Sequence, residues 1–227
     1  MNNIEKIVLP TNGLLDGVPR EVTVRGMKGR EISTLFSSLN ETAIDAVIKD
    51  VTEPSVNVDI LSDEDKRYIL HKTRELTFGP EITQTLRCPG CGAVKDYSVN
   101  YNDLEFKLLE EDIINTPIKM PDEKEVWVKI PTKKDWVALD RYKEKRKLPE
   151  TYAYILLFAV RIKKINDEVV SLGEAITYLE ELPGKDMQYL TDKLSFRYGL
   201  LTDFETTCKV CGLNFTGGIG INADLFR

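Results

Sequence analysis

The sequence predicts a mixed α+β protein made of two fused, pseudo-symmetric repeats. Three observations carry that prediction. A strand-like block followed by the same style of helix opening occurs twice. A Cys-x-x-Cys-Gly segment occurs twice. Each of those segments follows an aromatic–glycine pair at the same distance. Repeated order and spacing decide an architecture before any single element does. Two copies are too few for a solenoid, so a pseudo-symmetric pair is expected.

The first matched block is Val22-Thr23-Val24-Arg25 against Val126-Trp127-Val128-Lys129. Both alternate in the period of two that marks a strand. Each leads into a basic, acidic, then apolar helix start: Lys28 to Leu35 in one copy, Thr132 to Leu139 in the other. The offset between copies is 104 residues (126 against 22). Later, Phe78-Gly79 precedes Cys88-Pro89-Gly90-Cys91-Gly92, and Tyr198-Gly199 precedes Cys208-Lys209-Val210-Cys211-Gly212. Here the offset is 120 (208 against 88), and Tyr101-Asn102 against Ile221-Asn222 keeps it. The second copy therefore carries 16 more residues in its helical middle.

Each copy reads as strand, helices, strand, cysteine knuckle, strand. Ile32, Leu35, Phe36 and Leu39 form one helical stripe, and Ala43, Ile44, Val47, Ile48 and Val51 form another that ends before Pro54. Ser62-Asp63-Glu64-Asp65 is a capping box opening a third helix with Ile69, Thr73 and Leu76. In the second copy Thr132 and Asp135 cap a helix bearing Trp136 and Leu139. Tyr152 to Ile162 is apolar nearly all round and reads as a buried helix. Ser171 and Glu174 form another capping box, followed by Ile176 and Leu179, and Met187, Leu190 and Leu194 match the first copy's third helix. Strands are expected at 81–87, 94–101, 203–207 and 214–221. Pro117 and Pro121 mark a linker near 115–122, dividing residues 1–118 from 119–227 within one compact unit.

Composition narrows the class. With 227 residues and 42% hydrophobic content the chain can bury a sizeable core. No apolar run approaches the ~18 residues of a membrane span. Met1 to Val8 lacks the basic-then-apolar layout of a signal peptide, so cytosolic synthesis is expected. A net charge of −6 argues against non-specific nucleic-acid binding, which relies on Lys and Arg neutralising phosphates.

In a reducing compartment, two Cys-x-x-Cys pairs point to metal ligation or redox chemistry rather than structural disulfides. A knuckle followed by glycine aims two sulfurs at one point, the glycine supplying the positive φ of the turn. Two sulfurs are only half a tetrahedral site, and His71 is the one histidine. One site shared by Cys88, Cys91, Cys208 and Cys211 satisfies the geometry, and the duplication makes the knuckles equivalent. One structural Zn2+ per chain is the expected occupant. A rubredoxin-like iron, a redox pair at Cys88-Pro89-Gly90-Cys91, and thiols without metal are the competing readings.

Other features read blandly. His71, beside Lys72, is expected to face solvent. Arg141, Lys143, Lys145, Arg146 and Lys147 make the strongest basic run. It reads either as a solvated helix end or as a surface that docks an acidic partner. Gly217-Gly218-Ile219-Gly220 has no following helix to make a phosphate loop. With no catalytic set in the sequence and no open metal position, a non-enzymatic role is expected.

The chain also resembles the baseplate hub and hub-assembly proteins of contractile-tailed bacteriophages. The resemblance runs through Val8-Leu9-Pro10-Thr11-Asn12-Gly13-Leu14-Leu15, the Glu21–Arg25 block and Phe78-Gly79-Pro80 with the first knuckle. It continues in Leu182-Pro183-Gly184-Lys185-Asp186, the second knuckle and Ala223 to Arg227. It implies a structural or assembly protein of the tail baseplate hub that docks other hub proteins. Such a protein would be made in the host cytoplasm and, as a component, carried in the virion. The alternative from another class is a zinc-knuckle nucleic-acid-binding or regulatory protein, disfavoured by the acidic balance.

Overall fold

A computed structural model describes residues 3–226; Met1, Asn2 and Arg227, the last residue of the terminal motif, lie outside the described residues. The fold is mixed α+β. The chain opens with an antiparallel pair, β1 (Ile4–Val8) and β2 (Glu21–Arg25), in the register Ile7↔Val22. Alternation along β2 buries Val22 and Val24. Helices α1 (Gly29–Ser37) and α2 (Glu41–Val51) follow, and α2 runs straight into β3 (Thr52–Glu53), which pairs with β2. Helix α3 (Asp63–Phe78) starts at the expected capping box: Ser62 Oγ accepts from the Asp65 amide at 3.1 Å. It buries Ile69 and Leu70 against the strands. A hairpin, β4 (Glu81–Arg87) and β5 (Val94–Asn100), and a short strand β6 (Phe106–Lys107) complete this part.

Next come α4 (Glu111–Asn115), β7 (Ile118–Lys119) and β8 (Glu125–Val128). Helix α5 (Lys133–Arg146) opens on the Thr132–Asp135 capping box, and α6 (Ala153–Ala159) leads into β9 (Ile162–Ile165) and β10 (Glu168–Val169). These strands form one sheet in the order β10-β9-β8-β7. Helices α7 (Leu172–Glu181) and α8 (Gly184–Leu194) pack on it. Strand β11 (Gly199–Leu200) returns to pair with β6, and the hairpin β12 (Asp203–Thr207) and β13 (Asn214–Gly218) follows.

Two apolar cores result. One gathers Ile7, Val22, Leu35, Ile48, Ile69 and Ile82, and also takes Leu200, Ile219, Leu225 and Phe226 from the end of the chain. Arg74 fastens that end by donating from Nε to the Leu225 carbonyl at 2.9 Å. The other gathers Val126, Leu139, Leu156, Ile176 and Leu190. Between them Ser62 and Thr132, the N-caps of α3 and α5, form an antiparallel bridge. Lys66 and Lys133 both pair with the buried carboxylate of Asp45, Lys66 at 3.0 Å.

Several expectations are corrected. The run 152–162 is not one buried helix. It divides into a 3-10 turn, α6, and the first residue of β9, where Ile162 pairs with Val128. Tyr154 and Leu157 on α6 are exposed. A continuous apolar run does not distinguish a helix face from a buried strand, which explains the error. Phe36 faces outward, because α1 stops at Ser37 and meets the core through Leu35. Strand β13 ends at Gly218, three residues early. The segment 115–122, read as a linker, contains β7 and the buried Met120.

His71 is the largest correction. It is fully buried, with Nδ1 2.8 Å from the Tyr101 hydroxyl. Burial, helped by Arg67 and Arg74, pushes its pKa down to about 3, so it is neutral. The polar neighbour Lys72 was a poor guide: it lies one step round the helix and pairs with Glu5 and Glu75 instead.

Candidate metal centre

The two hairpins build the same turn. In β4–β5, the Cys88 amide donates to the Ala93 carbonyl at 2.8 Å, and the Gly92 amide donates back to the Cys88 carbonyl at 3.0 Å. In β12–β13, Cys208 to Leu213 and Gly212 to Cys208 give the same two distances. Gly92 and Gly212 have φ of +72° and +73°, a left-handed conformation that a Cβ resists. The tight turn places both sulfurs of a pair on one side.

The hairpins then meet through residues without side chains. A Cβ on Gly90 would lie 2.7 Å from Leu213 Cδ2, and one on Gly217 would lie 2.5 Å from Leu86 Cδ1. Tyr97 packs edge-on against Phe215, with ring centroids 5.8 Å apart. Lys209 crosses from the second knuckle, donating to the Asp96 carbonyl at 2.6 Å above the Tyr97 ring.

This contact brings all four cysteines together. Their sulfurs lie within 4.8 Å of one another. Cys88 Sγ is 3.7 Å from Cys211 Sγ, and Cys91 Sγ is 3.7 Å from Cys208 Sγ. A disulfide needs about 2.0 Å, so these are free thiols. A tetrahedron with metal–sulfur bonds of ~2.3 Å has an edge of about 3.8 Å, so the donor set fits a four-thiolate metal ion. Cys88 and Cys208 are buried while Cys91 and Cys211 are exposed.

The electrostatics agree. Amide bonds from Cys211 and Val210 draw the Cys208 thiol down to about 6, so it gives up its proton easily. The Leu213 amide also favours a thiolate at Cys211, but the neighbouring sulfurs of Cys91 and Cys208 outweigh it and hold Cys211 up at about 12. A thiolate is easily made at Cys208, and a second at Cys211 is resisted. A cation at the centre removes that resistance.

The basic run lies elsewhere, on the last turns of α5. Arg141, Lys145, Arg146 and Lys147 are exposed. Lys143 pairs with Glu150 at 2.9 Å, and Arg146 lies over the Tyr142 ring. Gly217 and Gly218 are strand residues of β13, not a phosphate loop. Sequence reading missed the packing role of Gly90, in the knuckle turn, and of Gly217, although a glycine inside a strand pattern such as Gly217 is a sign of close backbone approach.

The protein is thus an α+β scaffold with two cores, in which two hairpins bring four thiols close enough to hold a metal ion. The chain matches the family described as T4 bacteriophage base plate protein over residues 1–219, and it belongs to that family. No curated protein and no solved structure matches it. Membership makes it a phage baseplate protein. Among the described residues no helix is long and apolar enough to cross a membrane.

Proposed function

We propose that the protein is a non-enzymatic part of the baseplate hub, or a factor that assembles it, and that one structural zinc ion held by Cys88, Cys91, Cys208 and Cys211 staples its two hairpins together. The observation that carries this reading is the pair of 3.7 Å sulfur–sulfur distances crossing between the hairpins. Four thiolates leave a tetrahedral ion no position for water or substrate, so the metal acts on folding alone. The run Arg141, Lys143, Lys145, Arg146 and Lys147, exposed except for the half-buried Lys143, serves as a docking surface for an acidic hub protein.

The same reading treats residues 1–118 and 119–227 as descendants of one duplicated unit. The element order supports it: β1-β2-β3, α3 and a knuckle hairpin on one side, β7-β8-β9, α8 and a knuckle hairpin on the other. So does the crossed pairing of the sulfurs, first with last and second with third. The 16 extra residues of the second copy coincide with β10 and α7.

The test of placement is mass spectrometry of purified virions beside affinity capture from infected host cells. A hub component appears in both with other hub proteins; an assembly factor appears only in the cell. Capture with tail-fibre or sheath proteins alone would contradict the hub assignment.

A further inference from the structure

The registers of the two knuckle hairpins fix which side chains face inward. Side chains two apart on a strand, and side chains opposite each other across a ladder, point the same way. In β4–β5, Gln84 pairs with Tyr97, so Tyr97 shares a face with Gln84, Leu86 and Cys88. In β12–β13, Thr206 pairs with Phe215, and the Cys208 amide extends the ladder to Leu213, so Cys208 shares a face with Phe215 and Gly217. These two faces meet, through Leu86 on Gly217 and through Tyr97 on Phe215. The Tyr97 ring therefore stands between the hairpins, on the Cys88 side of its own and against the Cys208 side of the other.

Tyr97 is 4% exposed, and its hydroxyl is closed to solvent and makes no hydrogen bond among the described residues. The ring is held by Phe215 at its edge and by Lys209 Nζ 5.0 Å from its centroid. The polar groups that act on the hydroxyl belong to the knuckles: the Lys209 backbone and the sulfurs of Cys208 and Cys88. Burial first, and those sulfurs after it, hold the phenol above the usual tyrosine range, so it keeps its proton. Of the two sulfurs, Cys208 is the one within hydrogen-bonding reach, although the bond is not made. A buried hydroxyl without an acceptor is unfavourable. A neutral thiol is a weak acceptor, whereas a thiolate is a charged and strong one, and a hydroxyl proton rotates to suit.

We propose that Tyr97 is a positioning residue of the metal centre: its hydroxyl donates to Cys208 Sγ across the hairpin boundary when Cys208 binds the ion as a thiolate. The bond fixes the rotamer of Cys208 and draws charge from its sulfur, so the first hairpin orients a ligand of the second. The residue matching Tyr97 at the offset of 120 is Gly217, so the second hairpin returns no hydroxyl and the site has one donor of this kind. The inference rests on the reading of the four thiols as one metal site.

The test compares the parent, Tyr97→Phe and Tyr178→Phe, each loaded with Co2+ as a coloured substitute for zinc. Tyr97→Phe keeps the ring and removes only the donor. Tyr178 also has a buried hydroxyl without a partner, but it packs against the second core, so its variant controls for the loss of a hydroxyl as such. All three should bind one ion. In Tyr97→Phe alone the thiolate-to-cobalt charge-transfer band should move to lower energy, because a sulfur without its donor gives up electrons more easily. Competition with a chelator should show zinc held about tenfold more weakly in that variant. An unmoved band with unchanged affinity would overturn the proposal, as would an equal shift in Tyr178→Phe. If Tyr97→Phe does not fold, the parent decides: with NMR-active cadmium bound, the Tyr97 hydroxyl proton should be protected from exchange and coupled to the metal through Cys208, and free exchange would overturn the proposal. A parent that binds no ion overturns the metal site itself; a parent that binds one, beside a variant with an unmoved band, overturns this inference alone.

Discussion

His71 and Glu31 are fully buried ionisable groups that meet burial in opposite ways. His71 stays neutral, with a pKa pushed down to about 3 by burial and by Arg67 and Arg74. Burial alone would raise Glu31, yet bonds from Arg25 and Arg30 and from the Lys28 amide bring it to about 2. The pH consequences follow by linkage. Above the ordinary histidine value of 6.5 neither folded nor unfolded protein holds the His71 proton. As pH falls from 6.5 toward 3 only the unfolded chain takes it up, so stability drops by about 1.4 kcal/mol per pH unit. The Glu31 contribution is intact above its ordinary 4.5 and is lost as pH falls toward 2. His71→Gln should therefore be less stable than the parent at pH 7, by about 1 kcal/mol for the lost Tyr101 bond. By pH 5 the parent has lost about 2 kcal/mol through His71 and the variant has not, so the deficit should vanish and reverse. Urea unfolding at both values checks this; a constant deficit would mean that His71 titrates normally.

Among the elements, the knuckle hairpins carry the most demanding contacts. Gly217 and Gly218 are neighbours in β13 with different surroundings. A Cβ at Gly217 meets Leu86 at 2.5 Å and Phe204 at 3.0 Å, whereas one at Gly218 meets only Asp203 Oδ1 at 3.5 Å. Gly217→Ala should destabilise by about 1–3 kcal/mol, the usual range for overpacking, and should weaken metal retention. Gly218→Ala should lie within about 0.5 kcal/mol of the parent. Thermal melting with metal analysis separates them, and equal effects would show that the hairpins do not meet as described. Helix α5 offers a second test. Replacing Arg141, Lys143, Lys145, Arg146 and Lys147 with Gln should leave the melting temperature within a few degrees, since exposed pairs such as Lys143–Glu150 contribute about 1 kcal/mol or less. Co-purification with hub proteins should fall; unchanged co-purification would return the run to a solvated helix end.

At the scale of the whole molecule, the legible part was what local pattern encodes. Capping boxes at Ser62, Thr132 and Ser171 opened helices where expected, and the glycine-backed knuckles turned as their spacing required. The clustering of four sulfurs was legible because two half-sites imply one whole. Tertiary partnership was not legible. Nothing local says that Leu225 and Phe226 complete the first core, that His71 points inward, or that Tyr97 packs against Phe215 of the second hairpin. Those facts depend on which faces meet after the chain has returned on itself. They also change where the molecule should open when metal is withdrawn. Because 115–122 is tied into the second core through β7 and Met120, chelation should expose the knuckle turns to protease before that segment. Fragments cut first near Lys95 and Lys209 would agree, and first cuts at Lys119 or Lys124 would not.

The central claim is that both hairpins feed one ion. Native mass spectrometry of the parent, Cys88→Ser and Cys208→Ser, each purified without added metal, tests it most directly. The shared site predicts one zinc in the parent and loss of that zinc from both variants, with melting temperatures lowered alike. A variant that keeps its full metal content and stability while the other loses both, or a parent carrying two ions, would contradict it.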